Sequence, residues 1–133
     1  MREEIAKLLL RLTIGVLMLF HGIDKAIHGV SFIEGLLTEH DLPAVVTYGV
    51  YIGEIVAPLL LIFGIATTLG AITIIVNMLM AILLVYSDTI FSVTPQGAWS
   101  IEVPMLYLMG SVIILLLGPG KYSVDYHLFE KGH

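Results

Sequence analysis

Four runs of apolar residues divide the chain, at about 5–23, 44–65, 69–87 and 101–117. Each is close to the roughly 20 residues that an α-helix needs to cross a hydrocarbon core about 30 Å thick. None alternates with the period of two expected of a membrane barrel strand. In lipid, backbone polar groups must be satisfied within the segment, which predicts helices. The breaks agree. Leu42-Pro43 precedes the second run, and proline suits the first turn of a helix. Gly64 to Gly70 is a short connection that predicts an antiparallel hairpin of runs two and three. Ser92-Val93-Thr94-Pro95-Gln96-Gly97 is turn chemistry, and Gly118-Pro119-Gly120 stops the fourth run. Between runs one and two, Ala26, Val30, Ile33 and Leu37 recur at i, i+4, i+7 and i+11, with His28, Ser31, Glu34 and Thr38 away from them. That pattern predicts a short amphipathic helix at the interface. The expected architecture is all-α: a four-helix transmembrane bundle with a short interfacial amphipathic helix between spans one and two, in one membrane domain over 1–133.

Composition sharpens this picture. Hydrophobic residues make up 58% of the 133 and charged residues 13%, against roughly 25% charged in soluble domains. A soluble domain this small has too much surface for its volume to hide so many apolar side chains. The lipid bilayer is therefore an expected partner. No basic stripe points to nucleic acid. The absence of cysteine excludes thiol catalysis, disulfide exchange and thiolate-held metal clusters. Arg2 and Lys7 resemble the start of a signal peptide, but Arg11 interrupts the apolar run and no small-residue cleavage site follows, so a retained span is expected. Five of the six cations (Arg2, Lys7, Arg11, Lys121 and Lys131) flank the outer ends of runs one and four, and Lys25 alone lies on the other side. The positive-inside rule then places both termini in the cytoplasm of a multi-pass protein. Trp99, Tyr86 and Phe91 suit the opposite interface.

Ionisable groups inside hydrocarbon are costly, and so each of the few here is a candidate for function. They are Arg11, His21, Glu54 and Glu102, with Lys25 beyond the end of run one and Asn77 as a neutral polar group. With the centre of run one near Ile14, a rise of about 1.5 Å per residue puts Arg11 about 4–5 Å to the cytoplasmic side of the midplane. Glu54 and Asn77 fall at the centres of runs two and three. An Arg11–Glu54 pair supported by Asn77 is thus expected as an inner polar layer. His21 and Glu102, at about 10 and 12 Å beyond the midplane, form an outer layer with Tyr86 and Lys25. Tyr51 and Tyr107 fall between the two. A purely structural pair that fixes helix order is the competing reading. One intramembrane histidine cannot ligate a haem from both sides, and the separated carboxylates give no closed metal set, so neither a covalent nor a metal cofactor is expected.

Arg11-Leu12-Thr13-Ile14-Gly15 followed by His21-Gly22-Ile23-Asp24-Lys25 resembles the opening signature of the DoxX family. Gly53-Glu54, Trp99-Ser100-Ile101-Glu102 and Leu117-Gly118-Pro119-Gly120-Lys121-Tyr122-Ser123-Val124-Asp125 resemble its later motifs, so the likeness runs from about 9 to 126. Relatives often carry a histidine near the end of span three, where Tyr86 stands here. The resemblance implies a four-span bundle in the bacterial inner membrane and a link to redox physiology, some relatives being subunits of a thiosulfate:quinone oxidoreductase. Three functions compete. One is a subunit linked to quinone redox chemistry, with a bound quinone held by His21, Tyr51, Tyr107, Glu54 and Arg11, and with Glu54 or Glu102 exchanging protons. The second is a non-catalytic anchor or assembly partner of a soluble or membrane redox enzyme. The third is a small-molecule transporter or permeation subunit, which would need a homo-oligomer.

Overall fold

The computed structural model describes residues 1–28 and 52–130, together with Thr38 and Gly49. Helix α1 spans Arg2–His28. A π-helical turn, Ile52–Val56, runs directly into α2, Ala57–Phe63. Helices α3 and α4 span Thr67–Val85 and Glu102–Leu117, and a second π-helical turn, Tyr126–Glu130, closes the described chain. Among the described residues there is no β-strand, only an isolated bridge between Val93 and Trp99. The protein is all-helical, as its apolar runs predict. Most of the expected interfacial helix, and the part of the second run that holds Tyr51, lie outside the described residues.

Each boundary has a local cause. The carbonyl of Leu60 is taken by the amide of Gly64, whose left-handed conformation (φ 69°) ends α2. Ala66 is also left-handed (φ 47°), so the chain reverses within three residues and α3 starts at Thr67. Helix α4 ends at Gly118 (φ 82°). The link between α3 and α4 is held by the Thr94 amide on the Ala98 carbonyl (2.6 Å), the Trp99 indole on the Ile90 carbonyl (2.5 Å) and the Ser100 hydroxyl on the Thr89 carbonyl.

The helices are apolar on both faces, as a lipid-solvated bundle requires. On α3, Leu69, Ile72, Val76, Leu79 and Leu83 point outward and are exposed, while Gly70, Ala71, Ile74, Met78 and Ile82 point inward and are buried. Both α1 and α3 are long and apolar enough to cross a membrane; 53–63 and α4 are shorter apolar helices. The core gathers Ile14 and Met18 of α1, Ala57 and Leu61 of α2, Ala71, Ile74 and Met78 of α3, and Tyr107 and Ile114 of α4. Small residues set the close approaches. A Cβ on Gly15 would stand 2.9 Å from the Pro58 carbonyl, and one on Gly110 would collide with Ile14. With little hydrophobic drive between helices in lipid, such backbone proximity is a main source of packing energy.

Candidate functional site

Two polar clusters interrupt this apolar core. The first sits where the start of α1 meets the end of α4. Arg11 is 1% exposed. Its guanidinium donates to the Leu61 carbonyl (2.9 Å) and the Tyr122 carbonyl (2.5 Å). Leu61 is in the last turn of α2, where carbonyls have no helical partner. Asp125 reaches the other way and accepts from the amides of Ala66 and Thr67 (2.8 Å each), capping α3, which has no side-chain cap of its own. The Asp125 amide donates to the Gly64 carbonyl (2.8 Å). Gly64 has no room for a side chain: a Cβ would lie 2.5 Å from the Arg11 guanidinium and collide with Ser123. Nearby, Glu4 accepts from the Lys121 amide (2.6 Å). The beginning of α1 and the segment after α4 therefore lie at the same end of the helices.

The second cluster lies deeper. Glu54, in the π-helical turn, is 5% exposed, and its Oε2 is 2.5 Å from the Lys25 ammonium, its only partner among the described residues. This corrects the expected Arg11–Glu54 pair: Lys25 takes the carboxylate, and the two terminal nitrogens of Arg11 are taken by backbone carbonyls. The physical reason is the register of α1. Its first turns run alongside Gly120 and Lys121, outside the apolar part of the bundle, and so Arg11 stands near one end rather than near mid-depth. About ten residues separate Glu54 from Gly64, Asn77 from Thr67 and Tyr107 from Leu117, which places all three about 15 Å from that end. Lys25, about one turn farther out, folds back to this depth.

Backbone geometry brings these groups together. Pro58 has no amide hydrogen, so the Glu54 carbonyl, its i−4 acceptor, loses its α-helical bond. A π-helical turn at this point is a frequent mark of a functional site. The freed carbonyl faces Gly22 of α1, where a Cβ would collide with it, and a Cβ on Gly53 would meet the Asn77 side chain at 2.7 Å. The His21 ring, itself exposed, stands edge-on to Tyr107 at 5.7 Å. The structure thus brings Glu54 and Lys25 into contact, and sets His21 against Tyr107 and Asn77 against the π-helical turn. The expected separate outer layer does not form around His21, which lies level with Glu54. Glu102 is exposed at the start of α4 and Tyr86 is half-buried at the end of α3, and neither joins the cluster. Tyr51 lies outside the described residues. Among the described residues, no three histidine or carboxylate side chains gather as a metal site would require.

Asp125, which closes the last of the family motifs, is a capping residue that the count of polar groups in the apolar runs passed over. Its signal is indirect: a helix that begins after Gly64-Ile65-Ala66 carries no capping side chain, so an acceptor must come from elsewhere.

Apolar helices with lipid-facing side chains and a buried polar layer define a helical membrane protein. The chain belongs to the DoxX family, whose model matches residues 6–87; the motifs at 99–102 and 117–125 lie beyond that match. A Mycobacterium tuberculosis protein described as an uncharacterized membrane protein is 25% identical over 134 residues, covering 92% of this chain and 80% of the relative. An uncharacterized Haemophilus influenzae protein is 29% identical over 85 residues, covering 63% of this chain. The chain spans 54% of the length of that relative. No solved structure matches.

Proposed function

We propose that the protein is a multi-pass subunit of the bacterial inner membrane that binds a quinone at the Lys25–Glu54 cluster and serves quinone-linked redox chemistry. The observation that carries this reading is the collection of an ammonium, a carboxylate, a phenol, an imidazole and an amide at one depth in an otherwise apolar bundle. A quinone head group has two carbonyl oxygens that need donors in an apolar slot, and Tyr107, His21, Lys25 and Asn77 are donors of the right kind. Glu54, whose ionic partner among the described residues is Lys25, is the group suited to give and take a proton. When bound, a quinone supplies two-electron redox chemistry; the chain supplies hydrogen bonds, a proton and exclusion of water. Electrons would come from a soluble or membrane partner.

Four crossings with both termini cytoplasmic fit this reading, since the beginning of α1 and the segment after α4 meet at one end and carry most of the cations. The test is extraction of lipids from the purified protein, together with thermal unfolding in detergent with and without quinone analogues. Co-purifying quinone and an analogue-dependent rise in melting temperature, both lost in Glu54→Gln, are the expected results. No bound quinone and no thermal shift would overturn the reading.

A further inference from the structure

We propose that water and protons reach the Glu54 carboxylate from one side of the membrane only, the side away from the Arg11 end, along the Lys25 side chain. The two directions out of the cluster differ in what blocks them. Toward the Arg11 end, Glu54 is followed by Met18, Ile14, Leu61, Ile74 and Ile114, each at most 7% exposed. From Glu54 to Leu61 this layer is about 10 Å thick along the helix axis. Behind it the Arg11 guanidinium is held by two carbonyls and by the Asp125 charge. A fixed cation at that point also repels protons and other cations.

In the other direction the seam between α3 and α4 is closed by Met78, Ile82 and Ile101. Along α1 the situation is different. The Lys25 side chain is 26% exposed while the Glu54 carboxylate that it touches is 7% exposed. A lysine side chain partly uncovered among the described residues, with its charged end drawn to a buried carboxylate, is tolerable only where water or head groups reach it, and its stem is long enough to span from such a position to a buried partner. The Lys25–Glu54 pair is therefore the inner end of a one-sided aqueous access path, suited to hydronium and small cations. This sidedness belongs to the site whether or not quinone is its ligand.

The cysteine-free sequence permits a direct test. Single-cysteine variants Lys25→Cys, Glu54→Cys and Tyr107→Cys, with Lys121→Cys as the marker of the Arg11 end and Ile74→Cys as the marker of the seal, are placed in sealed vesicles. A charged, membrane-impermeant methanethiosulfonate reagent is applied from either side and labelling is read by mass. The expected result is labelling at 25, 54 and 107 only from the face opposite that which labels 121, and none at 74. Labelling of 54 or 107 from the face that labels 121, from both faces or from neither overturns the proposal. Tyr107→Cys removes no charge and reads the same path if Glu54→Cys does not fold. The measurement uses no quinone, so its failure would leave the quinone reading standing, and the converse.

Discussion

Among the described residues two charged side chains are buried, Arg11 and Glu54, and they are handled in opposite ways. Arg11 is surrounded by fixed backbone acceptors from α2 and from the segment after α4, so its charge binds parts of the chain that are distant in sequence. Among the described residues Glu54 meets one side chain, the long flexible lysine at 25, and next to that pair stand aromatic and amide groups. The first arrangement spends a charge on architecture. The second keeps a charge available for chemistry. In a thin membrane bundle, burial alone therefore does not mark a functional charge; the nature of its partners does.

The comparison can be broken by substitution. Arg11→Met leaves the Leu61 and Tyr122 carbonyls without donors and Asp125 without its counter-charge, and should cost about 3–5 kcal/mol, read as a large fall in melting temperature in detergent. Gly22→Ala, which sets a methyl against the Glu54 carbonyl, should cost about 1–3 kcal/mol because backbone cannot yield as a side chain can. It should also disturb ligand binding, since it displaces the turn that holds Glu54. Asp125→Ala should cost about 1–2 kcal/mol through loss of the α3 cap, with hydrogen exchange rising first at the amides of residues 66 and 67. Glu54→Gln should change stability least, by about 1 kcal/mol or less, because the freed Lys25 ammonium can turn out to water; its effect should fall on quinone-analogue binding instead. If Glu54→Gln unfolds the protein while Arg11→Met leaves it intact, the division of roles is wrong.

Much of this was legible in the chain. Apolar runs of near-spanning length predict α1, α3 and α4 to within a few residues, and the glycines at 64 and 118 predict where α2 and α4 stop. Arg11, His21, Lys25, Glu54, Asn77 and Tyr107 stand out as polar groups in apolar runs, and all are in or beside the two clusters. Their pairing was not legible. Counting depth from the middle of run one assumes that every apolar residue lies in hydrocarbon, yet the first turns of α1 lie against Gly120 and Lys121. A shift of two turns along one helix moved Arg11 away from Glu54 and brought Lys25 within reach. The capping role of Asp125 was hidden for a different reason, although the residue itself closes a family motif: a cap supplied from nearly sixty residues away leaves no local pattern.

The Arg11 cluster has a consequence for how the protein is made. Its acceptor at Tyr122 and its counter-charge at Asp125 emerge from the ribosome more than a hundred residues after the guanidinium that they hold. The early helices therefore enter the bilayer before these partners exist, and the bundle can lock only once residues 122–125 have been made. A nascent chain stopped short of residue 122 should insert, stay loose and be cleared by membrane proteases, whereas one extended past 125 should become resistant in a single step.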